Sequence, residues 1–218
     1  MIPILFEDGE ALVIFKPASL SIERPRAGGT SLDDHLDELR LGFQRRPVPV
    51  HRIDTDTSGC LLLARNPKAL ARFNRAFEER RVEKRYLGIL AGELEEEGGT
   101  IALALSKISS AEKGWRMIPA KDGKPAVTHW RQLATQAGLT LVEFRPETGR
   151  THQIRVHSAS GLGVPLLGDP VYGRGGTAPR TMLHAAELKV PRDGKPAIEA
   201  HAKLPADFSE RGFTDERG

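Results

Sequence analysis

The chain predicts an α+β fold: a mixed, mainly antiparallel central sheet with flanking helices and loops. Strand-like runs recur along its 218 residues, few helical stretches separate them, and the first two runs are joined by a tight turn signal. Ile2 to Phe6 and Ala11 to Phe15 flank Asp8-Gly9, a dipeptide suited to a hairpin turn. Ser31 to Leu41 reads as a short helix, with Leu32, Leu36 and Leu39 on one face and Asp33 and Asp34 in the first turn. Arg45 to Val50 holds two prolines and is expected to be a basic extended loop, followed by an apolar strand from Cys60 to Ala64. Asn66-Pro67 forms an N-cap and first-turn pair that opens a helix to about Arg80. That helix would bury Leu70, Phe73 and Phe77 and present Lys68, Arg72 and Arg75 on another face.

Further strands are expected over Lys84 to Leu90, Thr100 to Leu105, Trp115 to Ala120, Ala126 to Leu133 and Leu139 to Arg145. Thr151 to Ser160 is expected to be helical, and Leu183 to Val190 and Ala197 to Leu204 to be the closing strands. The near-repeats Lys121–Ala126 and Arg192–Ala197 share Asp-Gly-Lys-Pro-Ala and read as two similar hairpin turns, since their flanks do not match. With no linker or low-complexity segment, a single catalytic domain over residues 1–218 is the economical division, with 208–218 a polar, frayed tail.

Composition narrows the function classes. Hydrophobic residues make up 39% and charged residues 28%, ordinary for a globular protein with a substantial core. No run approaches the roughly 18 apolar residues of a membrane helix, so no membrane partner is expected. The single Cys60 rules out an intrachain disulfide framework, makes a reducing cytoplasm the expected compartment and leaves no cysteine cluster for a metal. Net charge is only +3, but from Arg40 to Arg85 twelve Lys or Arg face five acids. Such a basic block fits a polyanion, most simply nucleic acid; a solvated charged face is the competing reading.

Within that block lies His51-Arg52-Ile53-Asp54-Thr55-Asp56-Thr57-Ser58-Gly59. Asp54 stands between a basic residue and a polar turn that runs into an apolar strand, a placement that suits a nucleophilic carboxylate kept ionised by a nearby cation. Taken alone, an Asp that caps its own turn is the commoner outcome. Arg52 is a candidate phosphate binder, partner of Asp56, or filler of the space left by an extruded base. Tyr86, in Lys84-Arg85-Tyr86-Leu87, suits either the core or stacking on a base. The densest polar segment, Glu147 to His157, carries Arg150 and Arg155 for a phosphate or a buried carboxylate, with His152 and His157 spaced poorly for one metal on a helical face.

These segments resemble, in order, the motifs of the RluA-type pseudouridine synthases. The family's His-Arg-Leu-Asp, two variable residues and Thr-Ser-Gly is matched from His51 to Gly59 with Ile53 for Leu; its Lys-x-Tyr is matched at Lys84 to Tyr86. Its Thr-Gly-Arg-Thr-His-Gln-Ile-Arg-Val-His is matched throughout from Thr148 to His157, and its Gly-Asp-x-x-Tyr-Gly from Gly168 to Gly173. One departure is Ser19, in Lys16-Pro-Ala-Ser-Leu20, where the family usually carries Gly. A second is that no added RNA-binding domain is expected before the catalytic one.

The resemblance implies a pseudouridine synthase catalytic fold and isomerisation of uridine in structured ribosomal or transfer RNA, with no cofactor and no metal. Asp54 would be the nucleophile, Arg155 the partner that keeps it ionised and Tyr86 the residue packed on the target base. Arg52, Lys68, Arg72, Arg75, Arg150 and His152 would contact RNA, and the enzyme would act as a monomer. The loop Gly168 to Gly173 would be structural, with Tyr172 packing. Two rivals compete. Asp54-Thr55-Asp56-Thr57 resembles the nucleophile loop of haloacid-dehalogenase-like phosphatases, although a parallel strand should precede it and no later acidic Mg²⁺ motif follows. A non-catalytic RNA-binding module would use the same basic face.

Overall fold

The computed structural model describes residues 1–25, 28–110, 114–174 and 178–215. In chain order its strands are β1 (Ile4–Glu7), β2 (Ala11–Lys16), β3 (Val48–Pro49), β4 (Ser58–Ala64), β5 (Glu83–Leu90) and β6 (Gly98–Ala102). They continue as β7 (Leu105–Ser110), β8 (Gly114–Pro119), β9 (Val127–Gln136), β10 (Leu139–Pro146), β11 (Leu183–Arg192) and β12 (Lys195–His201). The α-helices are α1 (Pro67–Glu78), α2 (Gln153–Val156) and α3 (Ala206–Ser209). The α+β class expected from the sequence is the one adopted. The described residues divide into two compact units: Met1–Lys84 with Ala185–Lys203, and Arg85–His184 with residues 204–215.

In the first unit the order is β1-β2-β4-β11-β12, with β3 on β4. The Asp8 side chain closes the first hairpin by accepting the Glu10 and Ala11 amides, both at 2.8 Å. Strands β2 and β4 are continuous apolar runs because both of their faces are buried. Val13, Cys60 and Leu62 pack with Phe73, Ala69 and Ala76 of α1, while Leu12, Ile14, Leu61 and Leu63 pack on Leu32, Leu36 and Leu39. The expected cap of α1 is present, with Asn66 accepting the Ala69 amide at 2.9 Å. Its stripe is shifted: Ala69, Phe73 and Ala76 are buried, with Leu70 and Phe77 only partly so. Residues 31–41 form two 3₁₀ turns, Leu32–His35 and Glu38–Arg40, and not one helix; the left-handed Leu41 and Gly42 then end the segment. Gly59, at φ +110°, lets β4 approach β11 so closely that a Cβ would lie 2.1 Å from the Ala185 carbonyl oxygen.

The second unit orders its strands β5-β10-β9-β6, with β7 and β8 as a separate antiparallel pair. Leu90, Val142, Phe144, Ile154, Leu166 and Leu183 form much of its core. The expected strand over Thr100 to Leu105 is broken between β6 and β7. Of the two Asp-Gly-Lys-Pro-Ala turns, the second joins paired strands, with Arg192 opposite Lys195. The first does not: Lys124 turns back to exchange backbone bonds with Leu105, both at 2.9 Å, so β8 and β9 are not partners. The helix expected over Thr151 to Ser160 is α2 followed by a π-helical turn, His157–Gly161.

The expected frayed tail is instead packed as far as residue 215. Phe208 and Phe213 are fully buried, Asp207 accepts two bonds from Arg180 at 2.6 and 3.1 Å, and Asp215 accepts two from Arg85 at 2.9 and 2.8 Å. Two aromatic anchors and two guanidinium pairs outweigh the polar composition that suggested fraying. Residues 216–218 of that expected tail lie outside the described residues.

Candidate active site

Asp54 lies half-buried in the turn between β3 and β4, and its carbonyl accepts the Thr57 amide at 3.0 Å. The turn is held from beneath by Lys16. This lysine ends the apolar strand β2, is fully buried, and donates to the carbonyls of Pro17, Leu20 and Thr55 at 2.9, 2.9 and 2.8 Å. One ammonium thus ties the 16–20 turn to the residue that follows Asp54. Ser19, in the position where the family resemblance expects Gly, adopts the left-handed conformation at φ 67°, so the turn a glycine would favour is kept with a side chain in it. His51 holds the other end. Its Nε2 accepts the Leu62 amide at 3.1 Å and its ring stacks on Phe77 at 4.9 Å. Burial, with the Lys84 charge as the lesser cause, pushes its pKa down to about 3, so it stands neutral with the proton on Nδ1.

In the second unit the polar motif is folded largely inward. Gln153 accepts from Thr148 Oγ1 at 2.7 Å and from the Arg150 amide at 3.0 Å, and it donates to the Val127 carbonyl and Thr128 Oγ1. That clamp fixes the entry to α2. Arg155, buried on α2, makes a two-pronged pair with the fully buried Asp169, at 2.7 and 2.8 Å. Burial opposes ionisation of Asp169, but the Arg155 bonds and charge and the Val171 and Tyr172 amides outweigh it and hold its pKa below the ordinary value. The loop expected to be structural therefore contributes the carboxylate that orients Arg155. The Tyr172 hydroxyl accepts the Met117 amide and lies 2.9 Å from His152 Nδ1. Tyr86, opposite Phe144 across β5 and β10, is half-buried at the margin of the second unit's core.

Asp54 and the basic block as far as Lys84 belong to the first unit, and Arg85, Tyr86, Arg150, His152 and Arg155 to the second. Arg52 is exposed, with Glu23 3.7 Å away. Lys68, Arg72 and Arg75 all lie on the exposed side of α1, yet Arg72 pairs with Glu10 and Arg75 with Glu79 at 2.7 Å. Those two guanidiniums are thus already partly neutralised. Arg150 donates through Nε to the Pro125 carbonyl at 3.1 Å. Among the described residues no three His, Cys, Asp or Glu come together in a group able to hold a metal. Sequence reasoning had not assigned a role to Lys16 or Asp169. A lysine ending an apolar strand and an Asp before Pro in a glycine-bounded loop were the signals available.

The phosphatase rival finds no support in this geometry. Asp54 sits in a turn between antiparallel strands and not at the end of a parallel one.

Comparison with known proteins agrees with the family resemblance. Residues 10–160 match the family model described as RNA pseudouridylate synthase. An uncharacterized RNA pseudouridine synthase of Zymomonas mobilis is 51% identical over 96% of this chain and 97% of its own length. Ribosomal large subunit pseudouridine synthase D of Nitrosomonas europaea is 39% identical over 93% of this chain, which spans 58% of that protein. Among solved structures, human RNA pseudouridylate synthase domain containing 1 superposes with a TM-score of 0.77 at 32% identity, covering 94% of this chain and 84% of its own. With the fold, the motif order and these relatives in agreement, the chain belongs to the RNA pseudouridylate synthases, an isomerase family.

Proposed function

We propose that this chain converts uridine to pseudouridine in the RNA of the large ribosomal subunit, with Asp54 as nucleophile. The observation that carries the reading is the Asp54 turn itself: a half-buried carboxylate on a backbone anchored at Thr55 by the buried Lys16 ammonium. A preorganised carboxylate in a fixed turn is what a covalent step at carbon requires. The ribosomal class is supported by relatives named ribosomal large subunit pseudouridine synthase, D in Nitrosomonas europaea and C in Rickettsia prowazekii.

The reaction detaches uracil from ribose C1′, turns it and rejoins it through C5, with no net redox change. The target base must leave its stack, at a cost of a few kcal/mol that is smallest in loops. Asp54 would attack ribose C1′ or uracil C6. In the assignment that follows the family motifs, Arg155, oriented by Asp169, favours the ionised carboxylate. Tyr86 stacks on the uracil, and Arg52 fills the vacated stack.

The test pairs a map with a variant. Pseudouridines are mapped in ribosomal and transfer RNA from cells with and without the gene, and the deletion is complemented with Asp54→Asn. A ribosomal site that vanishes on deletion and stays absent with Asp54→Asn, while the purified variant binds RNA and melts like wild type, is the expected result. A missing transfer RNA site would overturn the substrate class. Turnover by Asp54→Asn near the wild-type rate would remove Asp54 as nucleophile.

A further inference from the structure

Trp115 is exposed where its strand position would bury it. In the β7–β8 pair Lys107 lies opposite Met117 and Ser109 opposite Trp115. Side chains alternate between faces, so Trp115 shares a face with Met117. Met117 packs on Leu105, Ala126 and Val156 and is 9% exposed, whereas Trp115, two residues nearer the hairpin tip, is 46% exposed. The hairpin reaches past the core that supports its base and carries an indole with it.

That indole is backed by an ordered column inside the second unit. The His152 ring lies 4.8 Å from the Trp115 ring, tilted by 31°. His152 itself sits at φ 53°, a left-handed conformation that sets the ring's direction, and meets Tyr172 edge-on at 5.6 Å. The Arg155 guanidinium lies 5.2 Å from the Tyr172 ring centroid. At the outer end the Lys107 ammonium is 5.0 Å from the Trp115 centroid. The column therefore runs from Arg155 to the surface and ends in an aromatic face beside a cation.

We propose that Trp115 is a stacking platform for an unpaired nucleotide of the RNA substrate, close in sequence to the target uridine, with Lys107 placed to meet the adjoining phosphate. This rests on the ribosomal RNA reading above. Single-stranded RNA is recognised by bases laid on aromatic faces beside cationic side chains, and a base inside a duplex has no free face to offer. Met117 being buried, the exposed neighbours of Trp115 on its face of the hairpin, Lys107 and Ser109, are polar, which suits a nucleotide and not the contiguous apolar patch of a protein contact.

The experiment uses the full chain and the RNA stem-loop that the mapping identifies. Trp130, the other tryptophan, is 6% exposed, so quenching of emission on RNA addition reports chiefly on Trp115. We expect quenching, a roughly 5- to 150-fold loss of affinity in Trp115→Ala, and a smaller loss in Trp115→Phe. Making loop nucleotides abasic one at a time should reveal one position that weakens wild type but not Trp115→Ala. Equal affinity of wild type and Trp115→Ala, or losses that add at every position, would overturn the platform while leaving Asp54-dependent isomerisation standing. If no uridine is modified in any RNA, the underlying reading fails and the platform with it. A dimer of wild type that Trp115→Ala dissociates, with RNA affinity unchanged, would assign the face to a protein contact and overturn the proposal. Should Trp115→Ala melt early, quenching and the abasic scan on the wild type decide: no quenching, or no sensitive position, refutes it.

Discussion

Replacing Lys16 with Met tests whether a buried ammonium organises the Asp54 turn. The substitution keeps most of the side-chain volume and removes the donors that reach the carbonyls of Pro17, Leu20 and Thr55. Each stranded buried carbonyl costs about 1–3 kcal/mol. Water can relieve the Pro17 and Thr55 carbonyls more easily than that of Leu20, since those two bonds are only part-buried while the Leu20 bond is wholly enclosed. Three acceptors at the low end of that range set a loss of about 3 kcal/mol. For a chain of this size that corresponds to a fall of roughly 6–12 °C in melting temperature. The effect on turnover should exceed the effect on RNA affinity, because the Thr55 carbonyl belongs to the residue after Asp54. Melting curves and single-turnover kinetics on the mapped stem-loop measure both. A Lys16→Met protein that melts within about 2 °C of wild type and turns over at the same rate would refute the anchoring role.

Other expectations follow from the same geometry. Ser19→Gly should stabilise the protein by about 1 kcal/mol, since Ser19 carries the penalty of a left-handed residue with a Cβ at φ 67°; a lowered melting temperature would contradict this. The depressed pKa of His51 means that below its ordinary value of 6.5 the unfolded chain takes up a proton the folded one resists. Its contribution is thus whole above pH 6.5 and declines as pH falls toward 3. Replacing His51 with Gln should flatten that part of the stability–pH curve, and nitrogen chemical shifts should place the proton on Nδ1. Asp169→Asn removes the charge from the buried two-pronged pair with Arg155 and should cost about 3–5 kcal/mol, with turnover lost alongside; a variant of wild-type stability by denaturant titration would show that the pair is dispensable.

The fold class, most strands, the cap of α1 and the functional motifs were legible in the chain because each depends on local chemistry: period-two alternation, an Asn-Pro start, an Asp-Gly turn. The same locality misled where distant partners decide. Residues 31–41 carry helical spacing but settle as two 3₁₀ turns ending in left-handed Leu41 and Gly42. The two Asp-Gly-Lys-Pro-Ala turns are nearly identical in sequence, yet one closes a hairpin and the other pairs back on Leu105. The end of the chain reads as polar, while Phe208 and Phe213 are buried and Arg85 and Arg180 hold its carboxylates.

The site divides in the same way. By itself the sequence determined the family motifs and singled out Asp54, Tyr86 and Arg155, because residue type and spacing suffice to mark a motif. Only the tertiary structure decided that Lys16 anchors Thr55, that Asp169 orients Arg155, that Arg72 and Arg75 already have carboxylate partners, and that Trp115 stands in solvent. Apart from Arg75, which meets Glu79 one helical turn away, these are contacts between residues well separated along the chain. Their energies depend on burial and donor geometry that no local window of sequence contains.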